Sequence, residues 1–183
     1  MNALSLFYKL KTLSYISIHF DKHLFNKEEE FYMEGKGKIS LPASVEQSWD
    51  VLMDPEALKN SIMGCKKLDV VAENKYEADI SMGVAAVKGE YFSTIELTNI
   101  QKPESYRMII KGDGASGSIE AIADVSLEAV DETKTILHYS YEAEVGGKVA
   151  MVGQRMLGGV AKLVIKDFFK KFEKELKKVE SSR

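Results

Sequence analysis

The sequence has little cysteine, proline or histidine, and it contains no long uninterrupted apolar run. Its 183 residues include one Cys, three Pro and three His. A single Cys65 excludes an internal disulfide, which favours a reducing compartment such as the cytoplasm. The histidines have no thiol or carboxylate cluster at ligand-like spacing, so we predict no metal site. No apolar stretch approaches the length of a membrane span, and we expect a cytoplasmic protein or one bound peripherally at the inner face of the membrane.

Neither positive nor negative side chains are in large excess. Lys and Arg total 25 against 28 Asp and Glu, which gives a net charge of −3. A nucleic-acid partner is therefore not expected, because no broad basic field is present to bind phosphates. Hydrophobic residues make up 45% of the chain, enough for one compact domain and too few for two.

Residues 1–32 differ in character from the rest, and we place the boundary of the domain, 33–183, at Met33. The segment up to Phe20 carries Lys9 and Lys11 and no acid, a pattern found in interfacial anchors and in signal sequences. Three interpretations stay open for this N-terminal extension. It is an accessory helix or strand, or it is a membrane-surface anchor. Alternatively, translation from an upstream start codon adds these residues and they have no role.

From Met33 the pattern predicts a strand, two short helices, a series of strands and one long helix. The first strand is predicted over residues 37–41. Ser44 is a plausible N-cap with Gln47 at the capping-box position. Asp54 and Pro55 start a second short helix, since Asp caps helices and Pro fits their first position.

The later strands are predicted from their alternation, because adjacent side chains on a strand point to opposite faces. One face of three strands carries apolar side chains and tyrosines, and the other carries acids and serines. Within residues 118–129, only Ile122 breaks this rule. Such one-sided strands are typical of an antiparallel sheet with one wet face, so we predict an α+β fold in which about six or seven strands curve around the long helix. The Gly-rich stretch 112–117 does not lead into a helix and is predicted to connect two strands.

The predicted inner face carries phenols, methionines, aliphatics and alanines but no carboxylate or imidazole, so we predict no catalytic residues. Ala121, Ala123 and Ala143 leave space where a filled core would carry larger groups. Tyrosines among apolar walls are the mixture expected of a pocket with few orienting polar groups. The alternative is that bulky helix residues fill this space.

A proline-free helix is predicted from Lys148 to Glu180. Projection at about 100° per residue places Val149 to Leu163 and the Phe-rich second half on different faces. We therefore predict a bend near Gly158 and Gly159, with the ligand beside the first half of the helix. The predicted ligand-binding residues are Tyr76, Met82, Tyr106, Met108, Ala121, Ala123, Tyr139, Tyr141, Ala143, Val152, Met156, Gly159, Val160 and Leu163.

Three stretches carry a resemblance to a known family: the opening GKGKISLPASVEQSWDVLMDPEALKNSIMGCKKL, the central VKGEYFSTIELTNI, and GGKVAMVGQRMLGGVAK followed by Phe168 and Phe169. The domain resembles CoxG, a carbon monoxide dehydrogenase subunit of the START-like polyketide-cyclase (SRPBCC) superfamily. The resemblance implies a helix-grip fold and no established catalytic residues. It also implies an accessory role for carbon monoxide dehydrogenase or a related molybdenum hydroxylase, with membrane recruitment and contact with quinone or lipid.

The sequence and the resemblance together favour a non-catalytic accessory protein that holds a quinone-like or lipid-like molecule and requires no cofactor. Two alternatives stay open. One is a START-like enzyme, a cyclase or hydrolase, which would need an inward acid or base. The other is an assembly factor that binds no ligand.

Overall fold

A computed structural model describes residues 30–84 and 87–181. The interpretations of the N-terminal extension, and the two histidines within it, His19 and His23, lie outside the described residues. The elements in chain order are β1 (Phe31–Leu41), α1 (Val45–Leu52), α2 (Pro55–Ser61), β2 (Cys65–Ala72), β3 (Lys75–Met82), β4 (Gly89–Gln101), β5 (Ser105–Gly114), β6 (Gly117–Asp131), β7 (Lys134–Gly146), a 3₁₀ helix (Gly147–Val152) and α3 (Gln154–Ser181).

The strands form one antiparallel sheet in the order β1-β7-β6-β5-β4-β3-β2, and α3 packs against β1, α1 and α2. This architecture confirms the predicted α+β helix-grip fold with two short helices after the first strand. The stretch 112–117 is the predicted strand connection, because β5 ends at Gly114 and β6 starts at Gly117.

The short helices start at the predicted caps. The Ser44 hydroxyl accepts a hydrogen bond from the Gln47 N–H, and the Gln47 side-chain oxygen accepts one from the Ser44 N–H, each at 3.2 Å. The Asp54 carboxylate accepts from the Glu56 N–H at 2.8 Å. These bonds satisfy N–H groups that a helix start leaves without a partner.

The first strand is longer than predicted. It begins at Phe31 and not at Gly37, because residues from Phe31 onward pair with β7 in one unbroken register. Its start lies two residues before the boundary predicted at Met33. The sequence pattern did not indicate this part of the strand, because Gly35 and Gly37 lie in it and glycine is unfavourable in a strand.

The long helix does not start at Lys148. Residues 147–152 form a 3₁₀ helix, and Gly153 adopts a φ of +81°, which ends it before α3 begins. The predicted bend at Gly158 and Gly159 does not appear as a break in the helix. The helix is continuous through both glycines, and the break lies at Gly153, where a positive φ suits glycine.

The predicted change of face along the helix is also wrong, because α3 keeps one inward stripe through both halves. One inward stripe recurs every three or four residues along α3: Leu157, Ala161, Ile165, Phe168, Phe172 and Leu176. Leu157, Phe172 and Leu176 are its deeply buried members.

The inner face of the sheet carries two separate hydrophobic clusters. The larger, here called the Phe172 cluster, joins α1, α2 and the second half of α3 to one end of the strands, with Leu41, Trp49, Leu52, Tyr106, Leu137, Phe172 and Leu176 among its buried members. The smaller, the Leu157 cluster, joins Val145, Val149 and Leu157 at the other end. The two clusters leave the middle of the inner face between them.

Candidate functional site

The middle of the inner face is only partly covered. Ile110, Ala121, Ala123 and Tyr141 face the side of α3, yet each is only half-buried and none belongs to either cluster. Protein interiors are close-packed, so partial exposure at the centre of an inner face indicates open space. We call the space above these four residues the central gap.

The helix also borders open space. Gly158 is half-buried and lies beside the inward stripe of α3, and a Cβ added there would meet no atom within 4 Å. The half-buried Ala161 and Ile165 follow on the same stripe. Small residues on both α3 and β6 therefore leave the gap unfilled.

Two glycines on β1 set the direction of the tyrosines on β7. A Cβ added at Gly35 would lie 2.6 Å from ring atoms of Tyr141, and one at Gly37 would lie 2.6 Å from Cζ of Tyr139. No side-chain carbon is tolerated at such distances, so only glycine leaves room for these rings. Both tyrosines therefore lie across the edge strand.

The tilt of Tyr141 keeps the central gap open. In the sheet, Tyr141 stands between Gly35 on β1 and Ala123 on β6. Its ring leans over the glycine, which leaves the space above Ala123 free. Gly35 and Gly37 were not predicted to belong to the site, although glycine inside a strand is a known signal of close approach by another group.

Four tyrosine hydroxyls on the inner face have no hydrogen-bond partner within the described ranges: those of Tyr76, Tyr106, Tyr139 and Tyr141. Burial raises the pKa of Tyr76, Tyr106 and Tyr141, so these phenols are neutral donors at physiological pH. Tyr106 packs edge-on against Trp49, with ring centroids 5.9 Å apart. None of the four hydroxyl oxygens is among the fully buried atoms without a partner in the described ranges, so each still reaches solvent. Of the four tyrosines, Tyr141 alone lies outside the Phe172 cluster and beside the central gap.

The predicted ligand-binding residues divide into three groups. Tyr76, Tyr106 and Ala143 are buried on the inner face. The half-buried members are Met82, Met108, Ala121, Ala123, Tyr139, Tyr141, Val152 and Val160. Met156, Gly159 and Leu163 are exposed. Contact of any of them with a ligand stays a prediction.

The expected inward orientation of Met156, Gly159 and Leu163 is wrong. Met156 is 53% exposed and Leu163 is 46% exposed, and Gly159 is exposed between them. They lie on the side of α3 opposite the inward stripe, because packing of Leu157 and Phe172 fixes which side of this continuous helix faces the sheet. Val149, which the prediction grouped with them, lies before the break at Gly153 in the 3₁₀ helix.

The inner faces of the described strands carry no Asp, Glu or His side chain. Asp167 on α3 pairs with Lys171 at 2.7 Å, and His138 lies on the outer face with its Nε2 2.8 Å from Glu128. Burial is the main cause that raises the pKa of the half-buried Cys65 thiol, which opposes thiolate formation. Within residues 30–84 and 87–181, no group of His, Cys, Asp and Glu could bind a metal ion.

The outer face of the sheet carries a polar groove of about 650 Å³. It lies over Lys36, Lys38, Arg107, Asp124 and His138. Arg107 donates two hydrogen bonds to Asp124, at 2.8 and 2.9 Å, and this contact lowers the pKa of the carboxyl group. The groove is distinct from the predicted apolar site, because these side chains point away from α3.

In the described part of the chain, no helix is long and apolar enough to cross a membrane. A comparison with curated proteins finds no match.

Solved structures show the same fold. A conserved protein from Geobacillus kaustophilus is 50% identical, with a TM-score of 0.78, and the match covers 80% of this chain and 96% of that one. A START superfamily protein from Mycobacterium smegmatis is 13% identical, with a TM-score of 0.64 and coverage of 80% and 98%. The Zhui aromatase/cyclase from Streptomyces sp. R1128 is 11% identical, with a TM-score of 0.60 and coverage of 80% and 94%.

The last two structures have low sequence identity to this chain, so they are evidence for the fold alone. That fold is START-like. Membership of a narrower family rests on a match to a family model over residues 37–177, which spans β1 to α3. The chain belongs to the CoxG family, that of the CoxG subunit of carbon monoxide dehydrogenase.

Proposed function

We propose that this protein binds an apolar small molecule, quinone-like or lipid-like, in the central gap and performs no chemistry on it. The observation that carries this proposal is the half-buried inner face at Ala121 and Ala123, which Tyr141 leaves open by lying on Gly35. Concave apolar sites with a few polar groups are the usual form of small-molecule sites.

A ligand with a carbonyl group suits the polar groups that are present. The hydroxyl of Tyr141, which borders the gap, is a donor without a partner in the described ranges, and a carbonyl oxygen accepts such a bond. A quinone combines an apolar body with two such oxygens.

The family supports an accessory role for carbon monoxide dehydrogenase or a related molybdenum hydroxylase. Redox chemistry would belong to that enzyme, since the strands around the gap provide no acid or imidazole to transfer protons. The same absence weighs against the cyclase or hydrolase alternative.

Peripheral membrane contact fits the exposed side of α3 and the 3₁₀ helix before it. Met151, Met156 and Leu163 are 68%, 53% and 46% exposed. Residues 145–166 carry four exposed cations, Lys148, Arg155, Lys162 and Lys166, and no acid. Exposed apolar side chains among cations are typical of surfaces that bind anionic lipid, and here they lie on the side of α3 opposite the gap.

Native mass spectrometry of the full chain with decylubiquinone, and separately with a phospholipid, tests the proposal. Ala123→Phe would fill the gap, and we expect it to weaken binding at least tenfold. Ile122→Phe, on the outer face of the same strand, is the matched control and should leave binding unchanged. Equal binding by both variants and the unmodified protein would refute a site in the gap.

A further inference from the structure

The edge strand β1 has a free side. The strand spans 11 residues and pairs with β7 alone among the strands of the described ranges. Its other side presents backbone N–H and C=O groups that a further strand can pair with, and proteins generally protect such edges. β1 is therefore a candidate for pairing with another chain.

The outward side chains of β1 place an acid and two cations at different positions along the strand. Tyr32, Glu34, Lys36 and Lys38 are exposed, and Glu34, Lys36 and Lys38 form no ion pair with any described residue. Glu34 stands opposite Glu142 on β7, and like charges in such a position destabilise a sheet. A partner that brings a cation to Glu34 would relieve this repulsion.

We propose that β1 is the interface for a second copy of this chain, paired antiparallel about a twofold axis beside Gly35. This register sets Glu34 opposite Lys36 of the second copy and Tyr32 opposite its Lys38. Each contact occurs twice, because the interface is isologous. The result is one continuous sheet in which both central gaps lie on the same side.

The inward side chains of β1 fit this register as well. Phe31 meets Ile39 of the second copy, and Met33 meets its Gly37. Apolar residues therefore face apolar or small residues on the inner face, while cations face an acid or a phenol ring on the outer face.

Neighbouring registers are unfavourable. An axis beside Lys36 sets the two copies of Lys36 opposite each other, and an axis beside Glu34 does the same for Glu34. A shift by one residue would place the inner side chains of one copy on the outer face of the other. Lysines on an edge normally discourage pairing. An axis beside Met33 also avoids like-charge contacts, but it pairs only residues 31–35 of β1, whereas the axis beside Gly35 pairs residues 31–39.

Sedimentation equilibrium of the full chain with charge-reversed variants tests the interface. We expect a dimer for the unmodified protein, and monomers for Glu34→Lys and for Lys36→Glu, because each reversal sets like charges opposite each other twice. An equimolar mixture of the two variants should form a heterodimer, since every pair is then of opposite charge. The double variant E34K/K36E should dimerise by itself for the same reason, and circular dichroism should show that every variant is folded.

Disulfide trapping gives the register directly. In a Cys65→Ser background, chains with Glu34→Cys mixed with chains with Lys36→Cys should form a heterodimer under mild oxidation. The mixture of Glu34→Cys with Lys38→Cys should form much less, because those positions do not face each other. A monomeric unmodified protein, a dimer that persists after either charge reversal, or equal trapping in both mixtures would overturn the proposal.

Discussion

The Phe172 cluster and the central gap share one sheet and one helix, yet the first is filled and the second is open. On β6, Val125 is 8% exposed, whereas Ala123, two residues earlier on the same face, is half-buried. On α3, Phe172 is fully buried, whereas a Cβ at Gly158 would meet nothing within 4 Å. One region of the inner face thus stabilises the domain and the adjacent region leaves space for a ligand.

The largest effect is expected in the filled region. Phe172 is completely buried and stacks on Phe168, with ring centroids 6.0 Å apart. We expect Phe172→Ala to lower the free energy of unfolding by about 3–5 kcal/mol, because it leaves a cavity in a packed cluster. Denaturant unfolding measures this change. Leu163→Ala on the exposed side of α3 is the control, and a similar loss there would mean that the burial difference along the helix is wrong.

A matched pair on β6 compares the two regions directly. Val125→Phe adds volume to a packed site, and we expect it to destabilise the domain by about 1–3 kcal/mol. Ala123→Phe adds more volume but enters open space, and we expect little loss of stability by the same denaturant method. If Ala123→Phe is the more destabilising of the two, the gap is not open.

Gly35→Ala should affect the gap through Tyr141. The added methyl group would displace the ring from β1 toward Ala123, at a cost of about 1–3 kcal/mol in stability from overpacking. Binding of decylubiquinone, followed by calorimetry, should weaken because the ring then occupies the gap. The double variant G35A/Y141A should recover binding, and failure to recover it would contradict the role assigned to the tilt of the ring.

The smallest effect is expected at Gly158. Alanine favours a helix interior over glycine by about 1 kcal/mol, and the open space beside Gly158 admits a methyl group. Thermal unfolding should therefore show Gly158→Ala to be as stable as the unmodified protein or slightly more stable. Destabilisation would mean that α3 packs closely on the sheet at this point.

Much of the fold could be predicted from the sequence, because local signals mark it. The caps at Ser44 and Asp54 and the alternation in β3, β6 and β7 depend on residues near each other in the chain. The start of β1 could not be predicted, since Gly35 and Gly37 resemble a break and only pairing with β7 makes them part of a strand.

The orientation of the candidate site residues was predictable on the sheet and not on the helix. Alternation fixes which face Ala121, Ala123 and Tyr139 occupy, whatever the neighbouring elements do. Met156 and Leu163 form a second apolar stripe on α3, and only packing on the sheet decides which stripe faces inward. The tilt of Tyr141 over Gly35 depends on two strands far apart in sequence, so a pattern along one strand cannot show it.

The most direct test of the central gap is a crystal structure of the protein grown with dibromostearate, with anomalous diffraction recorded at the bromine edge. Our account predicts bromine peaks between Ala123 on β6 and Gly158 on α3, with the tyrosine rings still lying on Gly35 and Gly37. An inner face closed by side chains, with bromine peaks only outside it, would contradict the account.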